Sequence, residues 1–276
     1  MSNWYANRGI VKDALGIPAT STREHMQIDS AAEAVSRLFE SYVHGWFYPH
    51  LQTRHYTPDD TYRLWTDPLL SVVALHTAPG GTSFDTTWDS GDYRLAPYNA
   101  SMESPKRAYT RLERTTTGRY SWPVGVDRSV RVQAYFGHMD ERTSSPSPCA
   151  TEIDATQKTM KFGSATMIHV GQTLLVDSEQ VFLKEFLGTT SGEYTVERAR
   201  NGTSGATHSS NSTVEVYQYP EIERAAIYQV QMDFRAKDSP MGVFVPTITE
   251  ERMRAPGGIH PFVARMLDPY RRRLVA

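Results

Sequence analysis

Nine histidines, His25, His44, His50, His55, His76, His138, His169, His208 and His260, are the side chains best suited to proton transfer or metal ligation near neutral pH. They are scattered along the chain. None falls in a His-Glu-x-x-His run, and neither a phosphate-cradling glycine loop nor a dinucleotide fingerprint is present. His50 and His55 are close enough in sequence to share a metal, but exposed loop histidines are the commoner explanation. Asp59-Asp60 follows Pro58 and reads as turn chemistry. Asp177-Ser178-Glu179 has the residue types of a hydrolase fragment, but it stands between β-prone runs and reads as a strand turn. Cys149, in Pro148-Cys149-Ala150, has no basic neighbour to make it a thiolate. Sequons at Asn99, Asn201 and Asn211 lie in Ser/Thr-rich stretches and read as chance matches. The expectation is therefore no catalytic constellation, no metal and no cofactor.

Composition points the same way. The chain has 276 residues with 39% apolar residues and 22% charged residues, enough for one large domain or two small ones. No stretch reaches the roughly 20 apolar residues of a membrane span. The opening Met1-Ser2-Asn3-Trp4-Tyr5 lacks the basic and apolar regions of a secretory signal. A single cysteine excludes an internal disulfide. A soluble protein made in a reducing cytoplasm is expected. Net charge is -2, which argues against nucleic-acid binding driven by overall charge. From Arg252 onward, however, six arginines meet one acid, Asp268, so this end carries +5. It suits an acidic surface, or simply a solvated end.

The elements that must position these groups follow from hydrophobic period. Residues 10–17 predict a short helix stopped by Gly16 and Pro18. Capping boxes at Ser21/Glu24 and Ser30/Glu33 frame a helical stripe from Met26 to Val43, read as one helix from about Thr22, with a break at Asp29-Ser30 as the alternative. Trp46-Phe47-Tyr48-Pro49 forms an aromatic corner, either a hydrophobic hand-over to the next element or a stacking site for a ligand. From 51 to 140 and again from 150 to 219, short β-prone runs alternate with Gly, Pro and Asn turns. Ser144 to Pro148 reads as a linker between them. Helix returns at Pro220, where Ile222, Ala226, Val230 and Phe234 step by four, and a last short helix covers 261–267. The predicted fold is α+β: a helical core from 1–50 and 220–276, with antiparallel β insertions at 51–147 and 148–219. The second insertion is expected to be separable from the helices.

Three segments, taken in order, resemble the head-to-tail connector, or adaptor, family of tailed bacteriophages. The first runs Asp29-Ser30-Ala31-Ala32-Glu33-Ala34-Val35-Ser36-Arg37-Leu38-Phe39-Glu40 into Gly45-Trp46-Phe47-Tyr48-Pro49. It is similar to the family's connector helix and the corner after it. The second is Asp67-Pro68-Leu69-Leu70-Ser71-Val72-Val73-Ala74-Leu75 with Gly91-Asp92-Tyr93-Arg94-Leu95-Ala96-Pro97 downstream. The third is Ile222 to Arg235, Ser239-Pro240-Met241-Gly242, and the closing Leu267-Asp268-Pro269-Tyr270-Arg271-Arg272. Val176 to His208 also looks like a β module that recurs in phage structural proteins, with Ala199-Arg200 replacing the usual single Gly before Asn201-Gly202-Thr203.

That resemblance implies a non-enzymatic ring subunit in the neck of a virion, assembled in the host cytoplasm. Its partners would be a portal protein, a stopper or tail-completion protein, further copies of itself (roughly twelve by that likeness, in a closed ring) and double-stranded DNA in the channel, with no membrane. The docking tail would comprise Tyr270, Arg271, Arg272, Arg273 and Leu274, while Trp46, Phe47 and Tyr48 would build the structural corner. A tail-completion or baseplate protein is the alternative within this class. A carbohydrate-binding β module, suggested by 5 Trp and 15 Tyr, is the alternative outside it.

Overall fold

Val130, Val132, Ala134 and Phe136 are buried and alternate with half-buried residues, the period-two signature of a strand with one face in a core. That strand belongs to the first of two compact units, Gly45–Asp140; the second joins Met1–His44 to Glu141–Ala276. The computed structural model describes residues 3–103, 106–145, 147–163, 168–188, 192–236, 243–244, 253–254 and 258–272.

The unit 45–140 is an antiparallel sheet of six strands: β1 (His50–Tyr56), β2 (Arg63–Thr77), β3 (Thr86–Thr87), β4 (Tyr93–Ala96), β5 (Tyr109–Arg114) and β6 (Val130–Phe136). The order is β1-β6-β2-β5-β4, with β3 on β2. The first part of β2 pairs with β5 and the rest with β6. The register shifts between Trp65 and Leu69, around Pro68, which has no N–H to give a ladder. Leu64, Leu69, Leu75 and Leu112 join the β6 residues in the core, capped by Trp88 and Trp122 stacked at 4.2 Å. Both indoles are satisfied, Trp88 Nε1 by Thr77 Oγ1 and Trp122 Nε1 by the Tyr62 carbonyl, each at 3.0 Å.

The other unit begins with α1 (Arg8–Leu15) and α2 (His25–Val43). Asn7 caps α1 by accepting the Ile10 N–H, and Gly16 ends it in the left-handed region. The predicted Ser21/Glu24 box forms only in part. Ser21 Oγ donates to Glu24 Oε2 at 2.7 Å, and α2 starts three residues later than expected, at His25. His44 ends α2 in the left-handed region, its N–H bonding the Glu40 carbonyl. A second six-stranded antiparallel sheet follows: β7 (Arg142–Ser144), β8 (Thr159–Lys161), β9 (Thr173–Val176), β10 (Glu179–Phe186), β11 (Glu193–Glu197) and β12 (Val214–Tyr217), in the order β7-β12-β9-β10-β11-β8. The chain then forms α3 (Pro220–Ala236), the short pair β13 (Val243–Phe244) and β14 (Met253–Arg254), and α4 (Pro261–Leu267).

The predicted helical core with two β insertions is not what the chain builds. Among the described residues the architecture is mainly two antiparallel sheets, with four helices. The helical stripes are the longest unbroken periodic signals in the sequence, whereas every strand but β2 has eight residues or fewer. Length of signal does not mark the core here: the dense apolar clusters come from short strands whose partners are remote in sequence.

The second sheet shares a compact unit with both chain ends. Residues 3–7 explain why. All five are buried. Trp4 enters the apolar cluster of the second sheet and meets Phe182 edge-on at 5.5 Å. Thr173 Oγ1 donates to Asn3 Oδ1 at 2.9 Å, and the Arg8 N–H bonds the Val170 carbonyl at 3.0 Å. On the other side, the Tyr5 N–H bonds Ser36 Oγ and its hydroxyl donates to Glu40, both on α2. The segment thus stitches α2 to the sheet. It fits only because residue 171 is glycine: φ there is +96°, and a Cβ would lie 2.2 Å from Trp4 Cε3.

Trp4→Ala is expected to cost about 3 to 5 kcal/mol in urea unfolding. Gly171→Ala should cost more than about 1 kcal/mol alone and fall back to about 1 kcal/mol, the cost of the positive φ, when the indole is already gone, a coupling that a double-mutant cycle reads directly. Deleting 148–219 removes the wall against which Trp4 packs, so cooperative unfolding of the helices should be lost with it.

Candidate functional site

The aromatic corner is a packing device. Phe47 and Tyr48 are buried, and the Phe47 carbonyl accepts the Met139 N–H at 3.1 Å. Trp46 is half-buried, stacks on His50 at 4.6 Å, and carries the Arg54 guanidinium 5.1 Å from its ring. Arg54 is in turn paired with Asp67. His50 and His55 cannot share a metal. Their odd spacing on β1 sends them to opposite faces: His50 opposes core residue Phe136, whereas His55 opposes Arg131.

The tail residues divide. Tyr270 is buried and its hydroxyl donates to Glu221 Oε2 at 3.1 Å. Asp268 accepts the Tyr42 hydroxyl at 2.6 Å, Arg271 sits 5.2 Å over the Tyr42 ring, and the Arg272 N–H bonds the Val43 carbonyl. The start of the tail is thereby fastened to the C-terminal end of α2. Arg273 and Leu274 lie outside the described residues.

The densest polar arrangement is one that the sequence did not bring together. Glu179 opens β10, immediately after the two-residue turn Asp177-Ser178, and its side chain is fully buried. A buried carboxylate is costly unless its lone pairs are filled. Here Oε1 accepts Arg198 Nε at 2.7 Å and the Ala199 N–H at 2.8 Å. Oε2 accepts Arg198 Nη2 at 2.6 Å and the Ala206 N–H at 3.0 Å, and His208 Nε2 lies 3.0 Å from it. His208 Nδ1 lies 2.7 Å from Asp177 Oδ2. Arg198 spends its remaining donors on the carbonyls of Asp154, Gln157 and Ala206. Burial pushes the Glu179 carboxyl up, but the Arg198 fork, the two amides and His208 outweigh it and bring it down to about 2.

This cluster contains an Asp–His pair, yet it lacks the geometry of nucleophilic catalysis. Each ring nitrogen of His208 is on a carboxylate oxygen, which leaves no base for a hydroxyl or thiol. Cys149 is buried, and burial, then the nearby Asp177 charge, push its thiol up to about 11. Among the described residues no group of three or more His, Cys, Asp or Glu is arranged to hold a metal. The arrangement clasps the loop 198–208 onto the β9–β10 hairpin. It also uses the sequon residue Asn201, whose amide donates to Gln180 Oε1 at 2.6 Å and whose oxygen accepts Asn3 Nδ2 at 2.7 Å. The available sequence signal was a charged residue opening an apolar strand; its partners lie 19 to 29 residues away.

No protein-family model matches the chain, and no curated protein matches it in sequence.

Glu179→Leu leaves the Arg198 guanidinium buried without its counter-charge and is expected to cost about 3 to 5 kcal/mol. The pH dependence has a defined sign. The folded carboxyl titrates near 2, below the 4.5 of an ordinary glutamate, so its stabilisation is complete above about pH 4.5 and disappears as pH falls toward 2. Thermal unfolding of the natural chain should steepen across that window, and Glu179→Gln should flatten it.

Proposed function

We propose that this chain is a structural subunit of a tailed-phage neck: a head-to-tail adaptor that joins a portal protein to a stopper or tail-completion protein, as a ring of identical copies around a passage for double-stranded DNA. The observation that carries the reading is the ordered set of adaptor-like segments and the way the last of them is held. Leu267-Asp268-Pro269-Tyr270-Arg271-Arg272 is anchored by Tyr270 on Glu221 and by Asp268 and Arg271 on Tyr42, so its arginines are presented from a fixed point. The aromatic corner and the Glu179 clasp support the reading in a second way, since their polar groups are committed to holding loops. Among the described residues no helix is long and apolar enough to cross a membrane.

The anchoring narrows the docking contact. Tyr270 serves its own subunit, so contact with a partner falls to the arginines from Arg271 onward, of which Arg271 and Arg272 are exposed. An exposed ion pair contributes only about 0.2 to 1 kcal/mol, but a ring repeats the contact in every copy, and multivalency raises binding by roughly 10² to 10⁴.

Mixing the purified protein with portal rings and imaging the product by electron microscopy tests this. The natural chain is expected to add a ring to the portal. A chain ending at Arg272 and carrying Arg271→Glu should keep its circular dichroism and lose most of the attachment. Undiminished attachment would remove the tail from the contact, and failure of the natural chain to join any portal or neck particle would overturn the adaptor reading.

A further inference from the structure

One face of the first sheet carries a cluster that the adaptor reading does not use. Residues directly opposed in an antiparallel sheet share a face. Across β2, β5 and β4, one row reads Arg63, Glu113, Arg94 and the next reads Trp65, Arg111, Ala96. The intervening row, Leu64, Leu112 and Leu95, points the other way into the core. Three arginines therefore stand on the outer face with one carboxylate between them. Asp60, exposed in the turn before β2, is the nearby second acid, and its Oδ1 accepts the N–H groups of Tyr62 and Arg63.

Glu113 organises this face. It is buried, accepts Arg111 Nε at 2.7 Å and the Tyr98 hydroxyl, and lies 3.5 Å from Arg63 Nε. Two cations remain available around it. The Arg63 side chain is 53% exposed, and Arg94 is exposed with no ion pair among the described residues. Trp65 and Tyr98 are also exposed, at 55% and 54%, and Arg111 stands 5.4 Å from the Trp65 ring. An exposed tryptophan beside pre-positioned arginines is not explained by the fold of this unit.

We propose that the outer face of β2, β5 and β4 is a nucleic-acid contact surface, taking the phosphodiester backbone at Arg63 and Arg94 and a base or sugar against Trp65. Guanidinium forks match phosphate oxygens, and aromatic faces beside cations on a sheet form the stacking platform used for nucleic-acid strands. An acidic peptide would satisfy the arginines equally but would leave the indole idle. The surplus of charge is local, since the chain as a whole carries -2, so each copy binds weakly and with a shallow salt dependence. About two phosphates neutralised correspond to a log–log salt slope of about -2.

The test uses the full chain and fluorescence anisotropy with a labelled oligothymidylate of about 16 nucleotides, the duplex of the same length, and polyglutamate as competitor. Arg63→Gln and Arg94→Gln should each weaken binding of both nucleic acids and lower the salt slope by about one. Trp65→Ala should weaken the single strand by roughly 5- to 100-fold, through loss of one stacking contact, and the duplex less. Arg94→Gln breaks no ion pair among the described residues, so it is the variant least exposed to folding defects, which circular dichroism checks. The proposal is overturned if neither nucleic acid binds, if all three variants bind as the natural chain does, or if polyglutamate displaces the probes and Trp65→Ala has no effect. The last result would assign the face to an acidic protein. The inference does not rest on the adaptor reading: nucleic-acid binding is measured without a portal, and ring attachment is scored without nucleic acid.

Discussion

A fully buried carboxylate that must stay ionised is the constraint around which the larger unit is arranged. Glu179 offers two oxygens and receives five polar contacts from four residues, which is the condition for keeping a charge away from water. Meeting it requires that Arg198, Ala199, Ala206 and His208 converge on one point, so the loop between them has little freedom. Ala199 and Asn201 accept left-handed backbone angles, φ 52° and 54°, that side chains ordinarily avoid. The held loop then presents Asn201 to Gln180 and Asn3, and Asn3 is the neighbour of Trp4. A single electrostatic requirement is thereby relayed to the segment that stitches α2 to the sheet.

That relay also shows what a reading by period can and cannot reach. Local rules placed α1, α2 and α3 closely, because caps, glycine stops and four-residue steps act within one turn of chain. They placed the β character of both middle regions, because alternation is equally local. They did not reveal which element would hold the core. Trp4 lies in a stretch with no periodic partner, and its value depends on Phe182 and Gly171, both more than 160 residues away. The same holds for the capping box. Ser21 and Glu24 have the right spacing, but their side chains bond each other and α2 begins elsewhere.

The polar clusters were hidden for a related reason. Asp177 and Glu179 are adjacent to a turn, which was legible, while Arg198 and His208 looked like ordinary loop residues. The pairing of β9, β10 and β11, with the bridge between Ile153 and His208, turns these positions into neighbours. The tail illustrates the reverse case. Tyr270 was legible as a docking-tail residue, but the partner its hydroxyl holds is Glu221 of its own chain. Sequence identified the kind of contact and could not say whether it lay within the subunit.

Charge makes the final distinction between global and local reading. A net charge of -2 excludes a chain driven onto polyanions by its overall field. It does not exclude a patch, because a sheet brings directly opposed residues of neighbouring strands into one row regardless of their separation in sequence. Arg63, Glu113 and Arg94 are spread over fifty residues yet stand side by side, and the central glutamate neutralises one arginine while fixing the geometry of its neighbours. Removing Glu113 would raise the local charge by one and still be expected to weaken specific contact, since Arg111 and Tyr98 would lose the group that holds them. Pre-positioned charge, more than its total, is what such a face contributes to recognition.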